Sequence, residues 1–294
     1  MLNRADKYRE REYELAHVDG IHKKIEKPSY GLENLAEFRS GKSPDIPTFL
    51  WSLKDRSNEV FEYRGGGEIV VEKNCFSFES DITSNVPENN QVKGTFYKGR
   101  EQKAIIILPN WNATGKDFNK LAKLFSMFGY SSLRLSLPYH DERKPASWSY
   151  SKNMVSPNIG LTISAFRQAV LDVRCAIDWL EVQGITKTFL VGISIGSCIA
   201  TVTAAHDRRV RGVAQMLMAS NFAEVVWTGL ATKHIRDSFA GFIDLPNLKK
   251  SWAIVSPDSY IPNLADNDTK LLMITGKYDP VSVSYTHLTL PTKA

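Results

Sequence analysis

Cysteine is scarce in this chain. There are three, Cys75, Cys175 and Cys198. An odd number without metal-type spacing suggests neither a disulfide framework nor a cysteine-built zinc site. No zinc or other metal is expected, and no cofactor. The opening Met1-Leu-Asn-Arg-Ala-Asp-Lys7 has no apolar core of the kind a secretory leader carries. No stretch approaches the apolar length needed to span a bilayer. Together these absences predict a cytoplasmic protein without a transmembrane segment. A large charge of one sign is missing too. The 37 basic and 32 acidic residues leave a net charge of +5 and are interspersed, so no nucleic-acid footprint is expected. The densest run, Arg4 to Arg11, carries both signs and reads as a solvated helix face. Internal repeats and low-complexity segments are absent.

What is present is apolar patterning. At 294 residues and 43% hydrophobic, the chain is long enough to bury a large core in one domain with insertions. Residues 1–60 read as a polar extension, helical in pieces. Glu68–Glu72, Cys75–Glu79 and Gln91–Tyr97 alternate apolar and polar residues, which predicts half-exposed antiparallel strands. Ala104-Ile-Ile-Ile-Leu108 is continuously apolar, as a strand buried on both faces must be. A helical stripe spans Lys116 to Phe128 and ends at Gly129. A strand at Tyr130–Leu137 follows, and then a long polar loop to Gly160. Leu161 to Val182 is a strong helix. A strand at Val210–Met218, a partly helical stretch over 220–262 and a strand at Lys270–Gly276 complete the order. Strands alternating with helices after an antiparallel start predict an α/β fold with a mostly parallel sheet, helices on both faces.

The most informative stretch is Phe189-Leu-Val-Gly192-Ile-Ser194-Ile-Gly196-Ser-Cys-Ile-Ala200. It is a short apolar strand, a Gly-x-Ser-x-Gly turn and a helix of small residues. That order places a serine on a tight strand-to-helix turn with its hydroxyl pushed out at the sheet edge. Side chains at Gly192 or Gly196 would crowd the turn.

With this elbow, with Gly276-Lys-Tyr-Asp279-Pro280 at a later strand end, and with the element order from Phe76 to Pro280, the chain resembles the α/β-hydrolase superfamily. The segment Leu137-Pro-Tyr-His-Asp-Glu-Arg143 also looks like bacterial hydrolases of unassigned substrate. The resemblance implies an α/β-hydrolase core over 61–281, with an inserted cap at about 220–262. It further implies a serine hydrolase acting on a small-molecule carboxylic ester, with Ser194 as nucleophile and Asp279 as the acid. A neutral hydroxyl attacks a carbonyl poorly, so an imidazole must take its proton and a carboxylate must orient that imidazole. Backbone N–H groups of Ile195 and of the loop after Leu108 would hold the oxyanion, Trp111 being the first choice there and Asn110 the next. His140 and His234 are candidate site-lining residues. The aromatic residues of 220–262, Trp227, Phe239, Phe242 and Trp252, and the 138–160 loop are expected to cover the site and form an apolar acyl pocket.

The chain order Ser, acid, His leaves only His287 beyond Asp279. It sits in Val283-Ser-Tyr-Thr-His-Leu-Thr-Leu-Pro-Thr292, which resembles the translation of a transposase adapter used in sequencing libraries. Residues 282–294 are therefore expected to be non-native. The C-terminal strand, the helix and the catalytic histidine are expected to be missing, and the printed chain to be inactive. An amidase or peptidase with the same machinery, and a non-catalytic binding scaffold, remain alternative readings.

Overall fold

A computed structural model describes residues 23–39, 45–218 and 220–275. The strands are β1 (Val70–Glu72), β2 (Cys75–Glu79), β3 (Gln91–Tyr97), β4 (Lys103–Leu108), β5 (Ser131–Leu135), β6 (Lys187–Ile193), β7 (Val210–Met216) and β8 (Lys270–Ile274). They form one sheet in the order β1-β2-β3-β5-β4-β6-β7-β8. The pairs β1–β2, β2–β3 and β3–β5 are antiparallel, and every pair from β5 to β8 is parallel. This is the expected mostly parallel sheet with an antiparallel start.

The period-two geometry of a strand explains the run at 104–108. Ala104, Ile106 and Leu108 enter the larger core, while Ile105 and Ile107 face a smaller one with Ala122, Val191 and Ile193. Both faces of β4 are thus buried, so polar residues have no place in it. The larger core is covered by α4 (Ile159–Val182) and α5 (Ile195–His206). Asn158 caps α4 by accepting the Leu161 N–H at 2.9 Å. The smaller core lies under α3 (Asn119–Met127), whose Ala122 is fully buried. That helix starts later than the stripe from Lys116 suggests. Phe118 has φ of 65°, a left-handed conformation that no helix continues through. Likewise the strand expected over 130–137 stops at Leu135, and the one expected over 210–218 stops at Met216.

The N-terminal part is less separate than its polarity suggests. Short helices α1 (Ile46–Ser52) and α2 (Ser57–Val60) and a 3-10 segment, Leu32–Phe38, insert Leu35, Phe38, Phe49, Leu50 and Val60 into the larger core. Residues 220–266 form α6 (Phe222–Thr228), α7 (Lys233–Ser238), α8 (Leu245–Ser251) and α9 (Ile261–Asp266), with 3-10 turns between. At the far side of the sheet β8 presents Leu272 and Ile274 to solvent. No helix among the described residues is long and apolar enough to cross a membrane.

Candidate active site

The site is built where β6 passes into α5. Ser194 stands between them with φ 51° and ψ −117°, a conformation that non-glycine residues rarely hold. The turn is over-determined by its surroundings. The Ser194 N–H donates to Met216 O at 2.8 Å on β7, and its carbonyl accepts the Ser197 N–H at 2.8 Å. The Ser197 hydroxyl donates to Gly192 O at 2.6 Å. A Cβ on Gly192 would lie 2.4 Å from Gly196 O, and one on Gly196 would lie 2.1 Å from Leu108 O. Neither fits, so the two glycines let helix, strand and neighbouring loop close on one another. The residues of 190–193 and 195–205 are all buried, and Ser194 between them is partly exposed. Ser194 is therefore the one residue of 190–205 that is not buried.

Ile195 begins α5, and the N–H groups of a helix's first turn have no intrahelical acceptor. They and the helix dipole favour negative charge at this point. The facing loop, Pro109 to Ala113, follows β4. The approach of Gly196 to Leu108 and Pro109 brings it against the elbow. The backbone N–H groups of Asn110 and Trp111 donate no hydrogen bond among the described residues. Both expected donors are thus unspent, on the loop that touches the elbow.

The loop itself is firmly held. Trp111 Nε1 donates to Ser151 O at 3.0 Å, and Asn112 Oδ1 accepts the Ser151 N–H at 2.8 Å. Asn110 Nδ2 donates to Trp111 O at 2.9 Å. The Trp111 ring lies nearly parallel to His234, with centroids 6.2 Å apart, and meets Tyr150 edge-on. Lys23 Nζ stands 4.5 Å from the centre of the Trp111 ring. Asn112, Tyr150, Ser151 and Lys23 were not singled out by sequence. Asn112 alone carried a signal, as an asparagine in a turn with φ of 62°.

His140 is fully buried, with Nδ1 2.8 Å from Pro138 O and Nε2 accepting the Asn112 N–H at 3.0 Å. Burial pushes its pKa down to about 4. It supports the loop from below and faces no opening. His234 is also buried and held at about 4 by burial and by the Lys23 ammonium. Its Nδ1 has no hydrogen-bond partner. His206 bonds Val202 O through Nδ1 at 2.8 Å and packs on Phe61 and Tyr260. None of these three histidines hydrogen-bonds the Ser194 hydroxyl. Asp279, His287, His17 and His22 lie outside the described residues.

The expected acyl pocket of 220–262 needs correction. Phe239 and Trp252 are fully buried, and Trp252 packs against Phe222 and Phe239 while donating to Ile159 O of α4 at 3.3 Å. Phe242 packs on Tyr30. These aromatic rings fasten the segment to the core, where each removes a large apolar area from water. Among the described residues of 220–262, His234 alone makes a ring contact with Trp111. A cleft of about 1010 Å³ opens beside the loop, lined by Asn112, Gly115, Arg134, Asp141, Tyr150 and others, but Ser194 is not in its wall. No group of His, Cys, Asp and Glu among the described residues is placed to hold a metal ion. Cys175 and Cys198 are buried thiols, each pushed up to about 12 by burial, and Cys75 is exposed.

Comparison with solved structures gives the frame a name. Acetyl xylan esterase 1 from Thermoanaerobacterium sp. JW/SL YS485 superposes over 83% of this chain and 91% of its own, with a TM-score of 0.53 at 14% identity. This chain has the α/β-hydrolase fold. An acetyl xylan esterase from Paenibacillus sp. R4 also resembles it, over 83% and 92% of the two chains, at 11% identity and a TM-score of 0.49. An acylaminoacyl peptidase from Pyrococcus horikoshii matches over 75% of this chain and 38% of its own, at 13% identity and 0.46. No family model and no curated protein matches the sequence. Within this fold Ser194 stands at the turn from β6 into α5, and the loop after β4 lies against that turn.

Proposed function

We propose that the natural protein is a serine hydrolase of small carboxylic esters, with Ser194 as nucleophile. The observation that carries this reading is the backbone of Ser194. A strained, partly exposed serine at a strand-to-helix turn is stabilised by two glycine contacts and serves no packing purpose of its own. Ser194 Oγ attacks the ester carbonyl and its proton passes to an imidazole. The tetrahedral oxyanion rests on the N–H groups of Ile195 and Trp111. The C–O bond to the alcohol then breaks and the imidazolium returns the proton to it. Water attacks the acyl-serine by the same route and releases the acid. Asp279 is the acid partner on this reading, and the imidazole belongs to a histidine beyond residue 281 in the natural reading frame. His140, His206 and His234 are each committed to packing or to backbone hydrogen bonds.

The test is a fluorophosphonate probe on protein extended in its natural frame, read by mass spectrometry of the peptide carrying Ser194. Labelling that Ser194→Ala abolishes is expected. A folded, extended protein left unlabelled overturns the reading. The chain as printed is expected to hydrolyse nitrophenyl acetate no faster than its Ser194→Ala variant. A burst that needs both Ser194 and His287 would contradict the adapter reading of residues 282–294.

A further inference from the structure

The segment Leu137–Arg143 stands out in the sequence, yet none of its side chains reaches the elbow. We propose that it is a positioning device for the oxyanion loop, and that His140 is its working contact. The catalytic meaning of this inference rests on the hydrolase reading; the holding of the loop does not.

The segment is itself braced. Tyr139 and Asp141, on either side of His140, hold φ of 60° and 50°. Two residues in that region within three positions cost strain, so other contacts must impose them. The Tyr139 N–H donates to Asn89 Oδ1 at 2.8 Å. Asp141 Oδ2 accepts from Arg134 Nη1 at 2.7 Å and from Ser136 Oγ at 2.6 Å. Arg143 is completely buried, donates to Ser136 O and Asn89 O, and lies 2.9 Å from Asp172. Tyr139, Asp141 and Arg143 are thus each fixed from outside the segment.

His140 is what this bracing presents. A carbonyl only accepts and a backbone N–H only donates. With Pro138 O at Nδ1 and the Asn112 N–H at Nε2, the ring must be neutral and carry its proton on Nδ1. The Nε2 lone pair then anchors Asn112, the residue after Trp111. Asn112 also has positive φ, a left-handed conformation that asparagine accepts and that this contact helps to fix. The side chains of Trp111 and Asn112 pair with both backbone groups of Ser151 from the other side. The loop is clamped between the two, and the N–H groups of Asn110 and Trp111 are left unspent. An oxyanion hole needs donors fixed before charge develops, and this clamp supplies that fixity.

Two readouts on the chain as it stands decide the clamp. The nitrogen-15 spectrum of His140 should show the Nδ1–H tautomer; an Nε2–H ring would overturn the proposal. Amide exchange should be at least about tenfold faster at Asn112 and its neighbours in His140→Phe, with His140→Gln, whose carbonyl can accept at the Nε2 position, restoring part of the protection. Unchanged exchange in a folded His140→Phe sinks the proposal. If that variant does not fold, the His140→Gln exchange pattern and the wild-type tautomer still decide. On protein extended in its natural frame, His140→Phe should lower kcat for nitrophenyl acetate at least tenfold with KM little changed, and His140→Gln less. A variant that alters only KM removes the oxyanion role. No labelling of the extended wild type removes the hydrolase reading and leaves the exchange result standing.

Discussion

Lowering the pH from 7 to 5 should weaken this fold through His140. In the unfolded chain the imidazole titrates near 6.5, whereas burial holds it near 4 in the fold. Between those values the unfolded state binds a proton that the folded state refuses. Stability is therefore full above pH 6.5 and falls as the pH drops towards 4. Each pH unit in that window is worth about 1.4 kcal/mol, so about 2 kcal/mol is lost by pH 5 and about 3 by pH 4. His206 and His234 are also lowered by burial and act in the same direction. Asp172 acts oppositely. Burial raises it despite Arg143, so it takes up a proton in the fold first as the pH falls. The histidine contribution is isolated by comparing wild type with His140→Gln, which cannot titrate. Urea unfolding at pH 5, 6 and 7.5 should show the gap between the two proteins narrowing by about 2 kcal/mol at the acid end. A gap that stays constant with pH would show that His140 is not held neutral, and the argument for its hydrogen bonds would fail with it.

Other substitutions separate the forces at work. Gly196→Ala places a Cβ 2.1 Å from Leu108 O, whereas Gly184→Ala meets nothing and is strained only by φ of 79°. Thermal melts should show about 1 kcal/mol lost at Gly184 and a much larger loss, or no folded protein, at Gly196; similar losses would refute the close contact of loop and elbow. Arg143→Met strands the buried Asp172 carboxylate, and calorimetry should register about 3–5 kcal/mol of destabilisation. Trp111→Phe keeps a ring against His234 but deletes the bond to Ser151 O; denaturant titration should show about 1 kcal/mol lost.

The frame was legible in the sequence because it is written in local patterns. The apolar run at 104–108 announced a strand buried on both faces, and the glycines of the elbow announced its tight turn. The exact ends were not legible. Phe118 looks like the first rung of a helical stripe, and only the fold puts it in the left-handed region. The aromatic residues of 220–262 were misread for a related reason. Composition shows that Phe239 and Trp252 want burial, but not which surface buries them, and here it is the long helix α4 and the rings beside it. The role of His140 was beyond reach of any pattern. Its partner is 28 positions away on another loop, and the decisive atom is a backbone N–H.

These details alter what the elbow requires. A serine on a strained turn offers a hydroxyl, but a hydroxyl alone does not stabilise an oxyanion. On the proposed reading Ile195 would supply one donor by beginning a helix, which any strand-turn-helix does. The proposed second donor, Trp111, sits on a loop with no regular structure to hold it, and this chain lacks the glycine-rich sequence that commonly shapes that loop. What it has instead is a tryptophan and an asparagine whose side chains grip Ser151, a histidine that grips Asn112 from beneath, and Gly196, whose missing side chain lets the loop close on α5. On the proposed hydrolase reading, the geometry of the hole would be set by residues that never touch the reacting atoms, and the fixity of Trp111 depends on the long loop and the Leu137–Arg143 segment as much as on β4.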